Sequence, residues 1–163
     1  MSDEGPISGQ PGPQCRFLAC RADVAGYGGH AGGGKTWALL MNPLRYTDNP
    51  EFGAVLFRRR GVDITNEGAM WDESQRLYPE LGGKPRAGAQ LDWSFPSGAR
   101  ISFRHCHTDE DVLDFKGAQI AELCFDQGEE FTEFQFWYLV SRNRSTCGVA
   151  PHIRLTCNPD PDS

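Results

Sequence analysis

The sequence predicts an α/β fold, with a mostly parallel β-sheet flanked by helices. Three observations predict it. Apolar runs at residues 22–27, 53–57, 120–125 and 151–157 alternate with helix-forming segments, the order that builds parallel sheets through crossover helices. A glycine-rich stretch separates the first run from a helix-forming segment. The run 120–125 ends on an acid, Asp126, as expected where strands of a parallel sheet present their carboxyl ends to a ligand.

The elements follow in chain order. Residues 1–13 carry Gly5, Pro6, Gly9, Pro11, Gly12 and Pro13 and read as a flexible lead-in; residues 14–163 read as one domain. Residues 14–20 form a short helix or turn. Residues 22–27 are a buried strand that feeds a glycine loop. Lys35 starts a helix with Ala38, Leu39, Leu40 and Met41, which Pro43 must kink or end because it lacks a donor and crowds the preceding turn. Asn49-Pro50 is a turn, residues 53–57 a second strand, and residues 65–77 a helical pattern. Residues 91–95 and 99–105 alternate apolar with polar around Pro96-Ser97-Gly98, predicting a local β-hairpin near 91–105 added to the parallel sheet. Residues 120–125 are a third strand. Residues 132–142 are a helix, with Thr132 and Gln135 spaced as a capping box. Its aromatics, Phe134 to Tyr138, read as core. Residues 151–157 close the sheet.

Composition bounds the function. The 163 residues suffice for a compact core, and 39% are hydrophobic. A net charge of -6 argues against a surface that is wholly a nucleic-acid footprint, though not against a local basic patch. Arg76, Lys84 and Arg86 stand as weak surface candidates for DNA contact. The six cysteines form no Cys-x-x-Cys pair and read as buried, reduced thiols. His105-Cys106-His107 alternates faces on a strand and implies no metal site. No secretory leader pattern and no apolar stretch of roughly 20 residues is present, so a soluble, intracellular protein without membrane association is expected.

Chemistry enters at Gly29-His30-Ala31-Gly32-Gly33-Gly34-Lys35-Thr36, which meets the phosphate-loop pattern Gly-x4-Gly-Lys-Thr at every defined position. Glycines let the backbone curl so that its N–H groups point inward at a phosphate. The following helix aims its positive end at the same anion. Lys35 would reach the β- and γ-phosphates of ATP and Thr36 would hold Mg²⁺, with Asp126 supplying the opposing carboxylate. The fold expected is therefore a P-loop NTPase of the RecA/ASCE-like kind.

Together with residues 27–36, the blocks at 55–59, 95–101, 115–120, 135–145 and 156–163 resemble the N-terminal ATPase domain of the large terminase subunit of tailed bacteriophages, over roughly residues 11–163. That resemblance implies a motor that drives double-stranded DNA into a procapsid at the expense of ATP. It implies a homo-oligomeric ring, partnership with the portal protein and the small terminase subunit, and residence in the host cytoplasm. By resemblance Gln14 lies near the adenine, and Thr156, Cys157 and Asn158 form the coupling segment. Arg58 or Arg59 approaches the nucleotide, and Arg142 or Arg144 acts as an arginine finger across a subunit boundary.

The sequence departs from the family pattern twice. The family carries Glu after the strand-ending Asp, whereas this chain has Gln127. An amide orients a water but does not accept its proton, so turnover is slowed or the carboxylate has moved to Glu129 or Glu130. The chain also ends after the coupling segment, so the C-terminal nuclease domain is expected to be absent, with its activity. Two other readings are carried: a RecA-like or helicase-type ATPase, which would have no reason to carry the 135–163 block, and a catalytically impaired nucleotide-binding remnant.

Overall fold

A computed structural model describes residues 7–159. The lead-in falls partly outside them, as does the end of the 156–163 block. The helices are α1 (Pro13–Ala19), α2 (Lys35–Met41), α3 (Val62–Thr65), α4 (Met70–Leu77) and α5 (Glu133–Val140). The strands are β1 (Val24–Gly28), β2 (Gly53–Arg58), β3 (Lys84–Arg86), β4 (Leu91–Ser94), β5 (Arg100–His105), β6 (Glu122–Phe125) and β7 (His152–Cys157). They form one seven-stranded sheet in the order β1-β7-β6-β2-β5-β4-β3. Strands β1, β7, β6, β2 and β5 run parallel, while β4 and β3 return antiparallel at one edge. No helix of the described residues is long and apolar enough to cross a membrane.

Alternation along the strands divides the core into two layers, because successive side chains point to opposite faces. In β2, Ala54 and Leu56 join α2 and α4 on one face, while Val55 and Phe57 join the other face. In β6, Cys124 faces the first layer and Leu123 and Phe125 the second, against Leu139 of α5. The parallel register brings the carboxyl ends of β1, β7, β6 and β2 together: Gly28 stands beside Cys157, and Phe125 beside both Leu155 and Phe57.

Helix α2 spans Lys35–Met41 as the sequence requires, then tightens into a 3-10 turn over Asn42–Tyr46, with Pro43 in its first turn. The capping box of α5 is formed: Thr132 accepts from the Gln135 N–H, and the Gln135 side chain accepts from the Thr132 N–H. That helix is shorter than residues 132–142, since Thr132 caps it and Ser141 ends it.

The hairpin near 91–105 forms as expected: β4 pairs antiparallel with β5, and β5 joins it to the main sheet by pairing parallel with β2. Four expectations change. The helix expected at 65–77 starts only at Met70: α3 ends where Asn66 turns extended, with a ψ of 153°, and Gly68 takes a left-handed φ of 74° in the turn before α4. Lys84–Arg86 is an extra strand that no apolar pattern announced; its Pro85 is tolerated because β3 is an edge. Of the cysteines, only Cys106 and Cys124 are buried, and all six are free. Finally, Phe134 and Trp137 are 51% and 60% exposed: only one face of α5 rests on the sheet, and Phe134 stacks on Tyr138 outside it.

Burial sets the thiol chemistry. Loss of solvation, with the nearby charges of Asp111 and Asp114, pushes the Cys106 thiol up to about 12. Burial and then Glu122 push Cys124 up as well. A raised pKa keeps a thiol protonated and unreactive at ordinary pH. A disulfide reagent at pH 8 is therefore expected to modify exposed Cys15 first, with Cys106 and Cys124 protected until denaturant is added. Mass spectrometry of labelled peptides checks this.

Candidate nucleotide site

Strand β1 ends at Gly28, and the chain turns through residues 29–34 into α2. The turn needs glycine at Gly34, which has a left-handed φ of 68° and where any Cβ would collide with Gln14 Nε2. Gln14 is buried and tied at both ends of its amide. Its Nε2 donates to the Gly34 carbonyl at 3.1 Å, and its Oε1 accepts from the Gln10 N–H at 2.8 Å. Tyr27 Oη donates to the Gly33 carbonyl at 3.0 Å. Lys35 Nζ donates to the carbonyls of Gly29 and His30, each at 2.6 Å. The ammonium therefore crosses the loop it starts from.

Asp126 follows β6 and is 3% exposed. A carboxylate at that depth needs partners, and it has them from separate elements. Arg58 at the end of β2 donates from a guanidinium N–H to Oδ2 at 2.8 Å. Thr156 of β7 donates to Oδ1 at 2.6 Å. Thr36 Oγ1 of α2 lies 3.3 Å and 3.4 Å from the two carboxylate oxygens. Thr156 Oγ1 also accepts from the Gln127 N–H at 3.1 Å. Gln127 is the only described non-glycine residue with a positive φ, 55°, a conformation that costs energy and collects at functional sites.

Thr36, Asp126, Gln127 and Thr156 line one cavity of about 410 Å³, together with the rest of residues 31–37 and with Gly68, Glu73 and Asn158. A larger cavity of about 550 Å³ lies by the end of β5, where Arg104 and His105 face Asp111 and Asp114. It holds no phosphate loop, so the smaller one is the functional candidate. Asn158 Oδ1 is buried at the site without a partner, and its N–H donates to Glu129 Oε1 at 3.0 Å.

The structure thus gathers Gly32, Gly33, Gly34, Lys35, Thr36, Asp126, Gln127, Thr156 and Asn158, with Gly29 engaged through its carbonyl. Cys157 ends β7 beside Gly28. Other candidates lie apart. Glu129 and Glu130 are exposed and do not line the cavity. Arg59 binds the carbonyls of His107 and Glu130 and the Gln135 side chain, a tie to the start of α5. Arg142 lies over the Tyr138 ring, and its carbonyl accepts from Ile120 just before β6. Arg144 lines a small hollow with Gly53 and Ala121. Both therefore sit near the amino ends of β2 and β6, opposite the loop. Of the DNA-contact candidates, Arg76 pairs with Asp72 and Glu73, while Lys84 and Arg86 are exposed on β3. Sequence reasoning missed Trp37, Gly68 and Glu73, which line the cavity. Trp37 lies two residues past the loop and could have been found there; Glu73 gave no local signal.

Asp126 and Thr36 offer hard oxygen donors side by side, the set that suits Mg²⁺. Arg58 now supplies the positive charge that such a carboxylate needs.

Residues 27–163 match the family described as terminase large subunit, T4likevirus-type, N-terminal. No curated protein sequence matches significantly. The fold resembles the large terminase of a thermophilic bacteriophage, with a TM-score of 0.65 and 18% identity, covering 90% of this chain. The chain spans only 38% of that protein. It also resembles the large terminase ATPase domain of Thermus phage P74-26, with a TM-score of 0.60 and 13% identity, covering 93% of this chain and 66% of that one. The N-terminal domain of the DNA packaging ATPase of bacteriophage phi29 follows, with a TM-score of 0.56 and 12% identity, covering 84% and 74%. The large terminase of the thermophilic bacteriophage has been solved with ADP and with ATP-gamma-S.

Removing Arg58 leaves the buried Asp126 carboxylate without its cation. Arg58→Ala is expected to cost ~3 kcal/mol in urea unfolding without metal. The deficit should shrink when magnesium and ADP are supplied, because the metal replaces the lost charge.

Proposed function

The chain belongs to the T4likevirus-type terminase large subunit family as its N-terminal part, and we propose that it is the ATP-binding and ATP-hydrolysing motor domain of a phage terminase that packages double-stranded DNA into a procapsid. The observation that carries this reading is the 3.3 Å approach of Thr36 to Asp126 at the mouth of a glycine loop. A phosphate loop and a strand-ending acid are the two halves of a magnesium-nucleotide site.

In this reading the amides of residues 29–36 receive the phosphates, and Lys35 exchanges its two loop carbonyls for β- and γ-phosphate oxygens. Thr36 and Asp126 would hold Mg²⁺, which would neutralise charge on the phosphate oxygens. Arg58, which now balances Asp126, would then be free to face the nucleotide. Gln14 sets the path of the loop through Gly34; the adenine contact assigned to it is a role its present hydrogen bonds do not express. Thr156 links Asp126 to the Gln127 backbone, so a change at the carboxylate reaches the end of β7 and Asn158. That is the physical content of the coupling role assigned to Thr156, Cys157 and Asn158. Arg142 and Arg144, at the far end of the sheet, would act on a neighbouring subunit's nucleotide in a homo-oligomeric ring. Double-stranded DNA, the portal protein and the small terminase subunit are the partners proposed, in the host cytoplasm.

A second reading, a remnant that binds nucleotide with little turnover, is favoured by Gln127. Turnover of MgATP with and without duplex DNA separates the two: DNA-stimulated hydrolysis supports the motor, and binding without hydrolysis supports the remnant. Ligand that binds only the folded state raises its stability. Lys35→Ala is accordingly expected to abolish the rise in Tm that MgATP gives the wild type. A retained rise would sink the loop assignment.

A further inference from the structure

We propose that Glu73 is the carboxylate that takes the proton of the attacking water, the task that Gln127 is chemically unable to perform. The inference rests on the ATPase reading above and deepens it. In sequence, Glu73 lies well beyond the loop at residues 29–36. The break at Gly68 starts α4 anew at Met70, with Met70, Trp71, Ser74 and Leu77 turned into the core. Burying that face against the core brings the first turn of α4 to the cavity beside the phosphate loop. Gly68 and Glu73 then line the same cavity as Lys35, Thr36, Asp126 and Gln127.

The other carboxylates are accounted for. Asp126 is engaged by Thr36, Thr156 and Arg58. Glu129 does not line the cavity and uses its Oε1 for the Asn158 N–H, and Glu130 is exposed. Glu73 uses Oε1 for Arg76 at 2.9 Å, and its side chain is 29% exposed. No described residue donates to its Oε2, which leaves a lone pair for water. The partner Arg76 is 68% exposed, so that pair constrains Glu73 weakly.

In the proposed step the water oxygen bonds to the γ-phosphorus. The bond from that phosphorus to the β–γ bridging oxygen breaks, and ADP leaves with the electron pair. The water proton passes to Glu73 and from there to solvent at the open side of the cavity. The Gln127 side-chain amide orients the water without receiving its proton.

The test uses the whole chain as wild type, Glu73→Gln, and the double variant Glu73→Gln with Gln127→Glu. Each is measured for MgATP turnover across pH, for magnesium dependence, and for the MgATP-induced rise in Tm. General-base loss costs on the order of 10²-fold or more. Glu73→Gln is expected to lose that much kcat while keeping the Tm rise, and to lose the acid-side fall in rate that a protonating carboxylate gives the wild type. The double variant is expected to regain turnover and that acid-side fall. Unchanged kcat and pH profile in Glu73→Gln would overturn the assignment. So would a loss that added magnesium repairs, which makes Glu73 a metal ligand, or a wild type that binds MgATP without hydrolysing it. A wild type that fails to bind MgATP overturns the ATPase reading as well, so the two failures are distinguishable.

Discussion

The molecule is organised around one buried carboxylate. Asp126 sits 3% exposed at the end of the central strand β6, where an unpaired charge would be costly. The partners that make it tolerable come from three different elements: Thr36 from α2, Arg58 from β2 and Thr156 from β7. Satisfying that charge therefore requires the sheet order β7-β6-β2 and the placement of α2 over it. The same hydrogen bonds that make burial bearable hold the strand-ending carboxylate beside the phosphate loop. The atoms that stabilise the fold are those the proposed chemistry would use.

The loop depends on a second set of ties. Lys35 bridges the Gly29 and His30 carbonyls, Tyr27 holds Gly33, and Gln14 holds Gly34. Each contact uses a carbonyl, which leaves the loop amides to the cavity. A loop shaped before phosphate arrives loses less conformational freedom on binding. The cost is glycine where the backbone turns left-handed, and strain at Gln127 where the chain leaves β6.

At Gln127 the chain departs locally from the family pattern. That residue's amide supplies hydrogen bonds but no base. Near neighbours in sequence do not repair that: Glu129 and Glu130 follow within three residues, yet the 3-10 turn over Gly128–Glu130 carries both outward. Glu73, far earlier in the chain, reaches the cavity because the packing of α4 carries it there. Proximity along the chain and proximity in space are set by different forces.

Much of the fold was legible because its signals are local. The span of α2, the capping box of α5, the apolar runs of β2 and β6 and the glycine loop depend on periodicity, caps and φ preferences that a few residues carry. Thr36 and Asp126 were legible too, since a phosphate loop and a strand-ending acid are recognisable one at a time. Other features were written nowhere locally. The outward turn of Phe134 and Trp137, the retreat of Arg142 and Arg144 to the far end of the sheet, the hold of Arg58 on Asp126 and the approach of Glu73 each depend on which faces of separate elements meet. The sequence by itself determined the strands other than the edge strand β3, the loop and the chemistry available. Only tertiary packing decided which carboxylates and cations share the cavity, because burial of apolar faces, not chain order, brings distant residues together.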